Sequence, residues 1–181
     1  MRVLILLADG VEEVEAVTII DVLRRAELEV VAAATGANIQ VKGAHGLVLL
    51  ADVLWNASES AAFDALVLPG GGQGTANLAA DARVLEAVQT FDQEGKFVTA
   101  ICAASTILAE ANILNGRKAT CYPACAPQLG RSYDDVPVIA DGNIITGQGP
   151  GSALLFALVL VQNFTDEATA QRVATEMLFD F

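Results

Sequence analysis

The sequence lacks the features that mark secreted and membrane proteins. Its three cysteines are odd in number and have no framework spacing, which excludes a disulfide-stapled fold and suits a reducing compartment. No apolar run reaches the ~18 residues that span a bilayer, and the longest, from Ala153 to Val161, is half that length. Met1-Arg2 leads straight into a short strand, without a basic segment followed by an apolar one. We therefore expect a cytoplasmic protein that does not enter a membrane.

Positive charge is also scarce. Ten Lys and Arg residues stand against 22 Asp and Glu, which gives a net charge of −12. Such a chain repels phosphate backbones and anionic membrane surfaces, so neither nucleic acid nor a membrane is expected as a partner. The phosphate-binding patterns G-x-x-x-x-G-K-[ST] and G-x-G-x-x-G are absent as well, so nucleotide binding has little support.

Metal ligands are few, because His45 is the only histidine. Cys121 and Cys125 lie four residues apart around Pro123, and this spacing matches no four-ligand zinc set. The sequence therefore predicts no metal site and no cofactor. His45 itself is expected to be an exposed residue of a hairpin.

What the sequence does contain is a regular alternation of apolar strands and amphipathic helices. Strands are predicted at 3–7, 29–34, 65–68, 96–101 and 118–121, and helices at 12–25, 82–94, 152–162 and 166–177. Hairpins are predicted within 38–50 and around Asp141-Gly142. No linker or repeat interrupts the chain, so residues 1–181 are predicted to form one α/β domain with a mostly parallel sheet. Ligands of such folds bind beyond the carboxyl ends of the strands.

Cys102 stands where the strand at 96–101 passes directly into a helix of small residues. This context predicts a tight strand-to-helix turn of the kind that exposes a nucleophile in G-x-S-x-G hydrolases. The free N–H groups of the helix would lower the pKa of the thiol. The alternative is a small buried core residue, since free cysteine is among the most buried residue types.

Two further features follow strands and converge on the same sheet edge. Glu15 lies among apolar residues, and it can point inward as a general acid or base while Glu12 and Glu13 face water. The alternative is a solvated acid in the first helical turn. Gly70 and Gly71 lie in a glycine-rich turn whose N–H groups can bind a phosphate or an oxyanion, the alternative being a tight turn with no ligand.

Taken together, these stretches resemble the DJ-1/ThiJ/PfpI superfamily, and within it the DJ-1-like branch. The matching segments are residues 8–15, 21–26, 67–71, 100–103, 149–152 and 156–158, which span nearly the whole chain in order. The resemblance implies a flavodoxin-like three-layer sandwich with helices on both faces of the sheet and a nucleophile elbow. It also implies a homodimer, which the hydrophobic fraction of 54% favours independently.

By position, the resemblance assigns Cys102 as the nucleophile and Glu15 as a protonated acid hydrogen-bonded to it. Backbone N–H groups of Gly70, Gly71 and Ala103 would face an oxyanion.

There are three departures from the pattern of relatives. Ala103 stands where peptidase-like relatives carry a histidine, so no Cys-His peptidase pair is available. Tyr122 replaces a histidine that DJ-1-like relatives tend to carry, and tyrosine is a poor base near pH 7. His45 stands near the position of an arginine that reaches the partner subunit's cleft, so a partner's imidazole could serve there.

The resemblance implies a cofactor-independent enzyme acting on reactive dicarbonyls, as in the conversion of methylglyoxal to lactate, or on glycated protein side chains as a deglycase. Two alternatives stay open at this point. One is a redox sensor or oxidative-stress chaperone that uses an oxidisable Cys102. The other is a non-catalytic family member that binds a metabolite.

Overall fold

The computed structural model describes residues 1–181 and has a seven-stranded sheet at its centre, with a separate two-stranded hairpin. The strands are β1 (Arg2–Leu7), β2 (Glu29–Ala34), β3 (Gln40–Lys42), β4 (Val48–Leu50), β5 (Val53–Leu54), β6 (Ala65–Leu68), β7 (Phe97–Ile101), β8 (Val138–Asp141) and β9 (Ile144–Gly147). The sheet order is β5-β2-β1-β6-β7-β9-β8. Every neighbouring pair is parallel except β8 and β9.

Seven α-helices surround the sheet. They are α1 (Glu13–Arg25), α2 (Gly72–Ala80), α3 (Ala82–Gln93), α4 (Ser105–Glu110), α5 (Ala126–Leu129), α6 (Ala153–Phe164) and α7 (Glu167–Glu176). None of them is both long enough and apolar enough to cross a membrane.

The two faces of the sheet bury separate halves of the core. Side chains of a strand alternate between faces, and in β1 Val3 and Ile5 pack with α1, α6 and α7, whereas Leu4 and Leu6 pack with α2, α3, α4 and α5. Strands that are covered on both sides must be apolar throughout, which explains the unbroken apolar run at 3–7. The predicted three-layer, mostly parallel α/β sandwich is confirmed.

Both predicted hairpins are present. β8 and β9 pair across Asp141-Gly142, where Gly142 has a φ of +64° that suits glycine. β3 and β4 pair with each other and lie against the loop after β1, since the Gly10 N–H donates to Lys42 O at 2.6 Å. This hairpin therefore lies beside the beginning of α1.

The predicted strand at 118–121 is wrong, apart from one isolated bridge at Ala119. The backbone N–H groups there bond to partners that form no ladder: Lys118 N–H to an Asp141 carboxylate oxygen, Ala119 N–H to a loop carbonyl, and Thr120 N–H to Thr146 Oγ1. An apolar run alone does not reveal such side-chain partners.

The beginning of α1 is oriented differently from the prediction. Glu12 and Glu13 are buried, with 8% and 4% of their surface exposed, whereas Val14 and Val17 are about half exposed. The expectation that Glu12 and Glu13 face water is wrong, because the β3–β4 hairpin lies next to them. The prediction that Glu15 points inward agrees with its exposure of 0%.

Candidate active site

Cys102 lies at a strand-to-helix turn, as the sequence predicts. It follows the last residue of β7 directly and begins a single 3₁₀ turn that leads into α4. Its φ of +62° is in the left-handed region, which non-glycine residues rarely adopt. Strained backbone of this kind costs about 1–3 kcal/mol and is concentrated at functional sites.

Glu15 is the acid beside this thiol. Its Oε2 accepts a hydrogen bond from the Gly70 N–H at 2.7 Å. Its Oε1 is buried and has no hydrogen-bond partner. Burial raises the pKa of Glu15 to about 7, and the negative charge of Glu12 adds a smaller rise. Hydrogen bonds from Gly70 and Cys102 act in the opposite direction and lower this pKa. The carboxyl therefore changes protonation state near neutral pH.

The pKa of the Cys102 thiol does not follow the sequence prediction. Burial raises it to about 12, and the negative charge of Glu15 adds to this rise. The N–H groups of Ala103 and Gly71 act in the opposite direction, because they stabilise a thiolate. Repulsion from Glu15 operates only while that carboxyl is ionised, so the two groups titrate as a pair that shares a proton.

The backbone N–H groups of Gly70 and Gly71 in the glycine-rich turn face different partners. The resemblance implies that the Gly70 N–H faces an oxyanion, which stays a prediction, and in this structure the N–H donates to Glu15 Oε2. The Gly71 N–H does face the sulfur. Gly70 also leaves no room for a side chain, since a Cβ there would lie 2.6 Å from the Cβ of Cys102 and 2.6 Å from Glu15 Oε2.

Tyr122 bonds to the backbone of Cys102 and also lines a nearby cavity. Its N–H donates to the carbonyl oxygen of Cys102 at 3.3 Å, and its half-exposed side chain lines a cavity of about 310 Å³. Pro137, Gln148 and Ser152 are also part of the lining. Cys102 does not itself line this cavity, which can hold a small polar molecule next to Tyr122.

His45 lies in the β3–β4 hairpin, and 75% of its side chain is exposed, as the sequence predicts. Its Nδ1 is 3.0 Å from Glu13 Oε2 and 3.7 Å from Glu12 Oε1. The hydrogen bond with Glu13 and the charges of both glutamates raise the pKa of the imidazole, against a small opposing effect of burial. Its role in a partner's cleft stays a prediction, because the structure contains one chain.

Glu12 and Glu13 are the residues that sequence reasoning missed. Burial acts to raise the pKa of Glu13, but hydrogen bonds from the His45 side chain and from backbone N–H groups, including those of His45 and Leu47, hold it at about 2. Glu12 is the N-cap of α1 and accepts the Glu15 N–H at 2.8 Å. One signal was available, because Glu12 and Glu15 have the spacing of a capping box.

A doubly wound α/β sandwich with a strained cysteine at a strand end and a buried glutamic acid beside it defines a class of cysteine-centred flavodoxin-like proteins. Residues 1–163 match the model of the DJ-1/PfpI family, and the chain belongs to that family.

Relatives place it in the DJ-1-like branch. Protein DJ-1 homolog B of Arabidopsis thaliana is 40% identical over 165 residues, which cover 90% of this chain but only 38% of that protein. A deglycase of Pyrococcus abyssi is 34% identical over 154 residues, covering 83% of this chain and 92% of the deglycase. The structure of oxidized Toxoplasma gondii DJ-1 has a TM-score of 0.96 at 34% identity and covers 99% of both chains.

Proposed function

We propose that this chain is a cysteine-dependent enzyme that converts small dicarbonyls such as methylglyoxal to 2-hydroxy acids without glutathione or another cofactor. The observation that carries the proposal is the buried pair of Cys102 and Glu15, with the N–H groups of Gly71 and Ala103 facing the sulfur. The relative named a deglycase supports chemistry of this class.

In the first step the Cys102 sulfur adds to the aldehyde carbon and forms a C–S bond. The electron pair of the carbonyl moves to its oxygen, which then takes a proton and gives a hemithioacetal. N–H groups of Gly71 and Ala103 are positioned to stabilise negative charge that develops near the sulfur.

In the second step the Glu15 carboxylate removes the hydrogen from the new tetrahedral carbon and returns a proton to the adjacent carbon. This transfer turns the hemithioacetal into a thioester of a 2-hydroxy acid. Water then cleaves the thioester, releasing lactate and restoring the thiol. The sum is methylglyoxal plus water giving lactate, so no external oxidant is needed, and a pKa of about 7 suits the proton shuttle.

Tyr122 has a supporting role in this proposal. Its side chain lines the cavity next to the Cys102 backbone, and its phenol can donate a hydrogen bond to a substrate carbonyl. The only histidine is hydrogen-bonded to Glu13, and Ala103 follows the nucleophile, so a peptidase mechanism has no imidazole within this chain.

Glycated side chains are the alternative substrate, as the name of the Pyrococcus relative suggests. A second function is a redox sensor, which the name of the oxidized Toxoplasma DJ-1 structure favours. In it, peroxide would oxidise the Cys102 thiolate in two steps to a sulfinate, and each step would release water. The N–H groups of Gly71 and Ala103, which face the sulfur, would stabilise that anion.

The experiment follows methylglyoxal consumption together with formation of D- and L-lactate in an amine-free buffer. The proteins are wild type, Cys102→Ser and, as a matched control, Cys125→Ser, whose thiol is half-buried outside the site. We expect lactate from wild type and Cys125→Ser, and a loss in Cys102→Ser of at least ~100-fold, since the nucleophile is removed.

Other outcomes distinguish the alternatives. A deglycase would release lactate from methylglyoxal adducts of N-acetyl-lysine and would form none from free methylglyoxal. Peroxide that converts Cys102 to a sulfinate in a protein without turnover would point to the sensor. Lactate formation that persists in Cys102→Ser would refute the proposed mechanism.

A further inference from the structure

A second group of chemically active side chains lies outside the Cys102–Glu15 pair, at the beginning of α1. It consists of Glu12, Glu13 and His45, which we call the Glu-His cluster. One oxygen of each carboxylate and one nitrogen of the imidazole all lie within 4.8 Å of one another. Residues 32 positions apart in sequence are thus brought together by the docking of the β3–β4 hairpin on the loop before α1.

Backbone hydrogen bonds orient both carboxylates of the Glu-His cluster. Glu13 Oε1 accepts the N–H groups of His45 at 2.7 Å and of Leu47 at 3.3 Å, and Glu12 Oε2 accepts the Glu15 N–H at 2.8 Å. The other oxygen of each carboxylate points toward the same imidazole nitrogen. Outer partners of this kind fix the direction of ligands at metal centres.

The Glu-His cluster has more acceptors than donors. The one possible proton on His45 Nδ1 is shared with Glu13 Oε2 at 3.0 Å, which leaves Glu12 Oε1 at 3.7 Å, beyond hydrogen-bonding distance. Glu12 Oε1 accepts no other hydrogen bond from the protein, although only 10% of its side chain is exposed. Two nearly buried carboxylates that lie beside the same imidazole are unfavourable unless a cation compensates their charge.

We propose that Glu12 Oε1, Glu13 Oε2 and His45 Nδ1 bind a divalent transition-metal ion. One imidazole nitrogen and two carboxylate oxygens form a donor set that suits Zn²⁺, whereas Mg²⁺ and Ca²⁺ prefer oxygen alone. The ion would replace the proton on Nδ1, which passes to solvent, and Nε2 would keep its own. His45 is largely exposed, so water would complete the coordination.

This site would join two elements of the fold. The ligands belong to the start of α1 and to the β3–β4 hairpin, so a bound ion would link the two. Because the arrangement exists only in the folded chain, binding would stabilise the protein in proportion to the logarithm of the free ion concentration.

The chain offers a matched control at the beginning of α7. Asp166 is the N-cap of that helix and Glu167 its first residue, just as Glu12 and Glu13 are in α1. Asp166 and Glu167 are both exposed, however, and the only histidine of the chain lies in the other cluster. Glu167→Gln therefore removes the same charge at the same helical position without touching the proposed site.

The experiment titrates Zn²⁺ into the metal-free protein, with calorimetry for affinity and imidazole ¹⁵N NMR for the location of the ion. Because the chain has one histidine, the imidazole signals belong to His45 alone. We expect the Nδ1 resonance to shift with one equivalent of Zn²⁺ and to stay in place with Mg²⁺. The affinity for Zn²⁺ should fall at least ~10-fold in His45→Ala and in Glu13→Gln, because loss of an outer-shell partner alone already costs about that much. It should stay unchanged in Glu167→Gln.

Thiols also bind zinc, so Cys102→Ser is included. The proposal requires that this variant keeps the shift of the His45 signal. It is overturned if Zn²⁺ leaves the His45 signal in place, if affinity is equal in His45→Ala, Glu13→Gln and Glu167→Gln, or if Mg²⁺ causes the same shift as Zn²⁺.

Discussion

At the scale of single residues, Cys102 and Glu15 share one buried environment, so their protonation states are coupled. Below pH 7 both groups are protonated. As pH rises through the Glu15 pKa of about 7, the carboxyl loses its proton, and its charge adds to the burial that raises the thiol pKa, against the N–H groups of Ala103 and Gly71. The reactivity of the thiol should therefore respond to the titration of the carboxyl.

The first prediction follows from this coupling. In metal-free buffer Cys102 alkylation by iodoacetamide should stay slow in wild type as pH passes through about 7, because the newly ionised Glu15 carboxylate opposes ionisation of the thiol. In Glu15→Gln alkylation should begin at a lower pH than in wild type, because the neutral amide no longer repels a thiolate. Mass spectrometry of the alkylated peptides measures both rates, and Cys125 in the same samples is the control. Identical pH profiles for wild type and Glu15→Gln would contradict the coupling.

The second prediction concerns the space between these two side chains. A Cβ at residue 70 would lie 2.6 Å from both the Cys102 Cβ and Glu15 Oε2, whereas a Cβ at Gly72 would meet nothing within 4 Å. Overpacking of this kind costs about 1–3 kcal/mol. Gly70→Ala should therefore lower the free energy of unfolding in urea by that amount and abolish lactate formation, while Gly72→Ala should do neither. Normal turnover in Gly70→Ala would show that the pair tolerates separation.

At the scale of elements, the β3–β4 hairpin depends on one carboxylate from another part of the chain. Glu13 Oε1 accepts the N–H groups of His45 and Leu47, and its pKa of about 2 lies below its unfolded value of about 4.5. A depressed pKa stabilises the fold above the unfolded pKa, and that contribution is lost as pH falls toward 2.

The third prediction is that Glu13→Ala loosens the hairpin. Loss of a charged acceptor from two N–H groups should cost about 1–3 kcal/mol and raise amide hydrogen exchange at His45 and Leu47. Glu167→Ala, which removes the matching acid of α7, is the control. Unchanged exchange at both amides in Glu13→Ala would mean that strand pairing alone holds the hairpin.

Elements were predictable where a local pattern decides them. The apolar run at 3–7 and the Asp141-Gly142 turn carry their own signals, and so does the junction at Cys102. The buried state of Glu12 and Glu13 was not predictable, because it depends on a hairpin 32 residues away whose N–H groups satisfy a carboxylate. The hydrogen bond from the Gly70 N–H was not predictable for the same reason, since its partner Glu15 is 55 residues away in sequence.

At the scale of the whole molecule, exposed apolar side chains are concentrated on one region. They lie on α1, on the β3–β4 hairpin and on the edge strand β5, and comprise Val14, Val17, Leu47, Val48, Leu50, Val53 and Leu54. Several exposed apolar side chains on elements close in the chain and the fold indicate an interaction site, and a two-fold pair is the commonest arrangement. We propose that two copies of the chain associate through this region.

The fourth prediction tests this association by light scattering at micromolar concentration. Wild type should have the mass of a dimer, and the double variant Val48→Glu/Leu50→Glu should shift toward the monomer, because charge replaces apolar area at the centre of the region. Leu178→Glu changes a side chain that is 95% exposed elsewhere and should leave the dimer intact. A wild-type monomer, or a double variant that remains dimeric, would move the interface away from this region.

The left-handed backbone at Cys102 also restricts which sequences can occupy the site. Glycine adopts a φ of +62° without the steric penalty that every other residue meets, and β-branched residues meet the largest one. In a thermal stability comparison of all substitutions at position 102, glycine should therefore rank first and valine, isoleucine and threonine last. The strand just before it should favour β-branched residues instead. Selection for stability alone would thus favour glycine over cysteine in this turn.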